Sequence, residues 1–263
     1  MAPSIFWLRV AACFYAVGLV HAILVLLRHR SGLFPFARAA FRVGAILHAV
    51  AIVDLTMQEG SPVGNAFQTV SLCAFLIATV SLAVEWRYAF SANAVAHYPL
   101  VFLMTLAATL ESPFAASQRM RDMWLVVHIV LILVGYAALF LTAVASICYL
   151  LQERRLKAKQ AASWFEKLPP LATLDEITGK SMVFCFVFMT LGVVVAFIQS
   201  GTSLIGDSRV TLSLITWVLL LVTIFLRASA GWRGRRAALM TIAVVCGSAL
   251  TWIAHAGLES SAR

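Results

Sequence analysis

Apolar runs of bilayer-crossing length alternate with short polar links along the whole chain. The runs fall near 5–27, 39–57, 66–84, 94–110, 123–151, 180–199, 209–227 and 237–256. About 20 apolar residues in helical form span a hydrocarbon core. A helix satisfies its own backbone amides there, where no water does so. The pattern therefore predicts an all-α polytopic membrane protein, a bundle of eight transmembrane helices. A cleaved signal peptide is the rival reading of the first run. That run is long and has no small-x-small cleavage site before the next one, so it is kept as a helix. Residues 1–115 then form an N-terminal four-helix membrane region, and residues 116–263 a second region.

One link is long, residues 152–179, "QERRLKAKQAASWFEKLPPLATLDEITG". Its first part continues the fifth helix, and Leu168-Pro169-Pro170 stops it. Thr173 and Glu176 form a T-x-x-E capping box able to start the next helix. Trp164 and Phe165 suit an interfacial elbow.

Composition agrees with the membrane reading. The chain is 62% hydrophobic and 12% charged, against about 45–50% and about 25% for soluble domains. The formal net charge of +9 raises nucleic acid as a partner, but the distribution points elsewhere. With the N-terminus outside, 15 of the 20 Lys and Arg fall in the links on one side. They include Arg28, Arg30, Arg38 and Arg42, then Arg154, Arg155, Lys157 and Lys159, then Arg227, Arg233, Arg235 and Arg236. That is the positive-inside pattern. It places both termini outside and makes lipid, not nucleic acid, the partner of the basic surface.

Soluble chemistry is not encoded in any recognisable motif. Cys13, Cys73, Cys148, Cys185 and Cys246 all lie within the apolar runs, with no C-x-x-C and no C-x-x-C-H, so they read as packing residues. There is no Walker loop, G-x-G-x-x-G, H-E-x-x-H or G-x-S-x-G. Function is expected in polar residues inside the spans, where they are costly. His29 sits in a basic link, and His97 opens the fourth span and is expected at the interface. Asp54 is expected to face interfacial water with Glu59. His21, His48, His128 and His255 lie within apolar helix. His48 is mid-span, and His21 could face it.

Under the charge-derived topology His128 and His255 lie at the same outer level. Two imidazoles from different helices could clamp one iron. A lone membrane histidine is more often an interhelical hydrogen-bonding residue. Trp124 precedes His128 by four residues and Trp252 precedes His255 by three, so each indole shares a helical face with its histidine. The indoles could wall a porphyrin, or serve as ordinary aromatic-belt anchors.

Three stretches carry a resemblance. They are "WLVVHIVLILVGYAALFLTAVASICYLLQERRLK", "LPPLATLDEITGK" and "SLITWVLLLVTIFLRASAGWRGRRA". Together they resemble the cytochrome c assembly family of the CcsA, CcmC and HemX type, over roughly 120–257. The first four spans are similar in layout with weaker motifs. The resemblance implies a haem-handling core in 116–263 that holds haem b near the outer face of a bacterial cytoplasmic (inner) membrane. It implies His128 and His255 as the two outward histidines and iron ligands, with Trp124 and Trp252 beside them. It maps the conserved aspartate of the family's tryptophan-rich loop onto Asp207, and a deeper inner-site histidine onto His48. It further implies a second cytochrome c assembly subunit as partner.

The chain departs from the family pattern at defined places. In "LIGDSRVTLSLITW" the tryptophans usual before Asp207 are replaced by Leu204 and Gly206. Phe225 stands where the family's synthetases carry a histidine. These departures resemble the short HemX- or YpjD-like branch. Two functions follow from the resemblance. One is a haem-binding or haem-transporting protein of cytochrome c biogenesis, an assembly factor without acid, base or nucleophile of its own. The alternative is a regulatory or structural membrane subunit that has lost haem and acts through its basic cytoplasmic loop. A transporter for another substrate gains no support, because the spans show no matching pair broken by Gly or Pro.

Overall fold

A computed structural model describes residues 3–28, 34–88, 93–110, 123–159, 168–200 and 208–261. Among the described residues there are eight helices: α1 (Pro3–Arg28), α2 (Phe34–Glu59), α3 (Ala66–Tyr88), α4 (Ala94–Ala108), α5 (Met123–Lys157), α6 (Leu171–Ser200), α7 (Ser208–Ser229) and α8 (Arg235–Ser261). Each apolar run of the sequence lies on one of them. Five stretches are long and apolar enough to cross a membrane: Ser4–Leu24, Phe34–Glu59, Ala66–Tyr88, Met123–Lys157 and Leu171–Gln199. Ala96–Ala108 and Ser213–Ser229 are shorter and also apolar.

The polarity of the packing is that of a membrane protein. Large apolar side chains such as Phe36, Ile46, Trp86, Leu103, Val187 and Ile198 face outward. Much of what is buried is small or polar: alanines, Ser71, Ser81, Thr142, His48 and His97. Outside water such a surface has no penalty, because lipid is as apolar as the side chains it meets. Hydroxyls in the helices bond back to their own backbone, as Thr105 to Val101, Thr142 to Ala138 and Thr241 to Ala237 show.

Two units divide the chain, Met1–Ile129 with Ala162–Leu168 and Val130–Ala161 with Pro169–Arg263. In the first, α1 and α2 meet through small residues. A Cβ at Gly18 would lie 3.1 Å from the Ala37 carbonyl oxygen, and one at Gly44 would lie 2.9 Å from the Tyr15 ring. Phe41 of α2 stacks on Tyr98 of α4, centroids 4.1 Å apart. In the second, Ala138, Leu139, Met182, Cys185, Met189, Leu220 and Val244 form the core. Glycines again let backbone and side chain approach. A Cβ at Gly135 would meet Met189 at 2.8 Å, and one at Gly192 would meet Ile132 at 2.7 Å.

One local expectation is corrected. α6 begins at Leu171, so Thr173 sits inside its first turn and does not cap it. Pro170 supplies the first carbonyl, accepting from Leu174 N–H at 3.1 Å, and the prolines set the start. Glu176 bonds forward to Lys180 Nζ at 2.6 Å instead of back to a cap. Trp164 and Phe165 lie outside the described residues.

Gly44→Ala is expected to cost about 1–3 kcal/mol of stability, read as a lower unfolding midpoint in detergent. Gly247→Ala, whose nearest neighbour would be Leu219 at 3.4 Å, is expected to leave the midpoint close to wild type.

Candidate functional site

Inside the first unit the mid-span histidine is fully enclosed. His48 projects from α2, with its Nδ1 3.3 Å from the Tyr15 hydroxyl of α1. Its Nε2 lies 2.9 Å from Ser71 Oγ of α3. Both partners can give or take a hydrogen, so either neutral tautomer is satisfied. Phe75 and Tyr15 close over the ring edge-on. His21 does not join it. Its Nδ1 turns to the Val17 carbonyl of its own helix at 2.8 Å.

The aromatic and imidazole side chains expected at one membrane face are placed as follows. Trp124 and His128 occupy the first two turns of α5, four residues apart on one face. Trp124 is 55% exposed, and His128 is half-buried. Both belong to the first unit. Trp252 and His255 lie on one face of α8, in the second unit, by backbone register. Their side chains are outside the described ones, and Asp207 is outside the described residues, immediately before α7. Phe225 is exposed on α7. Among the described residues no group of three or more His, Cys, Asp or Glu could hold a metal ion.

Other polar contacts were not anticipated. His97, in the first turn of α4, is wholly buried among protein side chains: the Phe41 ring sits edge-on to it at 5.0 Å and Tyr98 at 4.7 Å. Asp54 is half-buried with Oδ2 fully enclosed. Glu59 instead accepts from Gln68 Nε2 at 2.7 Å.

In the second unit Asp175 of α6 gathers three donors. Arg227 of α7 gives two side-chain bonds, at 3.1 Å and 2.7 Å, and Gly234 N–H gives a third at 2.9 Å. Arg227 also donates to the Asp175 carbonyl at 2.8 Å. Fork geometry of this kind is the strong form of an Arg–carboxylate pair. Gly179 leaves room for it, since a Cβ there would lie 2.9 Å from the guanidinium. Gly234 adopts φ +62°, and a Cβ on it would strike the Tyr149 hydroxyl at 2.5 Å. The pair stands on the wall of an open cavity of about 950 Å³, with Tyr149, Lys180 and Arg233 around it. The sequence signal was present in "LDEITGK" and "RASAGWRGRR", but a count of loop charges treats Arg227 as unpaired.

Comparison with known proteins covers nearly the whole chain. Residues 8–261 match the family described as cytochrome C assembly protein. A cytochrome c biogenesis protein CcsA of Synechococcus sp. (strain CC9605) is 25% identical over 245 residues, covering 81% of this chain and 80% of that protein. The CcsA protein of Prochlorococcus marinus (strain MIT 9312) is 25% identical over 219 residues, covering 70% and 71%. An uncharacterized 28.8 kDa protein of Azospirillum brasilense is 30% identical over 123 residues, covering 45% of each chain. No solved structure matches.

Asp175→Ala is expected to lower stability by about 1–3 kcal/mol, because it strands a half-buried guanidinium and an amide. Gly179→Ala should act in the same direction by displacing Arg227. A double-mutant cycle of Asp175→Ala with Arg227→Ala in detergent unfolding checks it: the two losses should be far from additive.

Proposed function

Since the chain belongs to the cytochrome c assembly protein family, we propose that it acts in cytochrome c biogenesis as a membrane haem-handling protein. Haem b is bound or passed at the outer face of a bacterial cytoplasmic membrane by the core of residues 116–263. The observation that carries this reading is the match over residues 8–261. The pairing of Trp124 with His128 on one face of α5 supports it. Both termini lie outside in this arrangement, the charge asymmetry of the links orienting the spans.

The residues fit the group in kind. His128 and His255 are imidazoles, the ligand type that holds haem iron. Trp124, exposed beside His128, offers an apolar plane, and the resemblance assigns Trp252 and Asp207 to haem as well. Bound haem would supply the iron chemistry and the vinyl carbons that become attached to an apocytochrome. The chain's own work is to bind, orient and shield. His48 is occupied by Tyr15 and Ser71, so it serves as a ligand only if one of those bonds is given up. A second assembly subunit is the partner that would complete the ligation chemistry.

Phe225 favours one other reading, a subunit that has lost haem and works through the basic end of α5. Arg154, Lys157 and Lys159 are exposed there, with Lys157 paired to Glu153 at 2.7 Å.

His128→Ala and His255→Ala are each expected to change the Soret spectrum or lower haem occupancy of the purified protein, and His29→Ala is not. Added imidazole should partly restore the spectrum by filling the vacated axial position. Protein that stays colourless with haem supplied decides for the regulatory subunit. The topology has its own check. With the five native cysteines replaced, Gln160→Cys should resist an impermeant thiol reagent in intact cells and react in inverted vesicles.

A further inference from the structure

The first unit holds a second buried polar group that haem handling does not use. Glu85 lies near the end of α3, and Asn93, His97 and Tyr98 lie at the start of α4. All four are under a tenth exposed. His97 Nδ1 stands 2.8 Å from the Asn93 carbonyl oxygen. A carbonyl only accepts, so Nδ1 carries the hydrogen and donates it. The neutral ring therefore presents a bare lone pair at Nε2. That lone pair faces Glu85 Oε1 at 3.8 Å. Among the described residues, neither Nε2 nor either Glu85 carboxyl oxygen has a hydrogen-bond partner, and the Asn93 amide and the Tyr98 hydroxyl have none either.

Two acceptors facing each other repel. An ionised carboxylate enclosed without one donor costs several kcal/mol. A hydrogen or a positive charge belongs between them. A second ring proton would leave a carboxylate and an imidazolium both buried. A metal ion would add positive charge where Arg38 and Arg42 of α2 already act on Glu85. Those two charges attract an ionised Glu85, but Arg42 is exposed and the Arg38 guanidinium lies over the Phe34 ring at 5.0 Å. Neither replaces the missing donors. A proton on Glu85 removes the buried charge and supplies the hydrogen bond at once. The surroundings are otherwise aromatic, Phe41 and Tyr98 standing edge-on to the imidazole.

We propose that Glu85 and His97 form a buried proton-binding site in which Glu85 is a neutral carboxylic acid. Its O–H donates to His97 Nε2, and Nδ1–H donates to the Asn93 carbonyl. A modest rotation of the carboxyl closes the gap to hydrogen-bond length. The imidazole thus joins the end of α3 to the start of α4 through one proton. The site is independent of haem.

Infrared spectroscopy of the full chain in detergent at neutral pH tests it. The wild type should show the C=O stretch of a protonated carboxyl that shifts in deuterium oxide. The band should vanish in Glu85→Gln, whose amide N–H can still donate to Nε2 and so should keep the fold. It should persist in Asp54→Asn, the necessary control because Asp54 Oδ2 is also enclosed without a partner. In His97→Gln the frequency should move, because the acceptor has changed; this readout stands even if Glu85→Gln fails to fold. Absence of the band, its loss only with Asp54→Asn, or an unmoved frequency in His97→Gln would overturn the proposal. So would one chelator-removable metal ion per chain that disappears in Glu85→Gln.

Discussion

Hydrocarbon offers a polar group nothing to bond with, and the structure is organised around that fact. Each unpaired polar group in such surroundings costs several kcal/mol. The threonines of the helices turn back to their own carbonyls. His48 is held between Tyr15 and Ser71. Trp217 donates to Thr190 across two helices at 2.9 Å. Asp175 collects Arg227 and Gly234 N–H. Against this background the Glu85–His97 contact is a place where, among the described residues, two facing polar groups have not been met by another side chain. Close approach is the other half of the solution. Without a hydrophobic drive between helices, packing contacts must be made at short range. Gly18, Gly44, Gly135 and Gly192 are where a Cβ would stand in the way.

The eight helices were legible because bilayer length and apolar composition are one-dimensional properties. α6 shows where that stops. It extends upstream of the apolar block, through "LATLDEITG", because those residues bury only one side of the helix, with Leu174, Ile177 and Thr178 inward and Ala172 and Glu176 outward. An apolar count does not see such a face. The enclosure of His97 was hidden for a related reason. Its place near the end of a run says nothing of the side chains around it, and Phe41 from α2 and its neighbour Tyr98 cover it. Trp124 and His128 could be assigned to one face from spacing alone. Their association with Trp252 and His255 came from the charge-derived topology and the resemblance, and that with Asp207 from the resemblance alone, since no periodicity links residues so far apart. Asp175 and Arg227, 52 positions apart, were hidden for the same reason.

The haem proposal and the proton proposal use the molecule differently. The first needs side chains near a helix end, where a large flat group has access. The second needs a buried carboxyl and imidazole at the junction of α3 and α4. The two proposals share no residue, so each can be tested without disturbing the other.

Arg227 shows how one residue can hold two occupations in succession. While the chain is being threaded into the bilayer, α7 has no α6 carboxylate secured against it, and the guanidinium acts as a full positive charge. It then helps decide which side the segment's end is retained on. Once the helices assemble, Asp175 closes on it and the charge is cancelled locally. Exchanging the two residues would keep an opposite-charge pair but leave Gly234 N–H without its acceptor, and it would take this positive charge off the end of α7. The pair is therefore directional in time and also in its final bonds, all of which run toward Asp175.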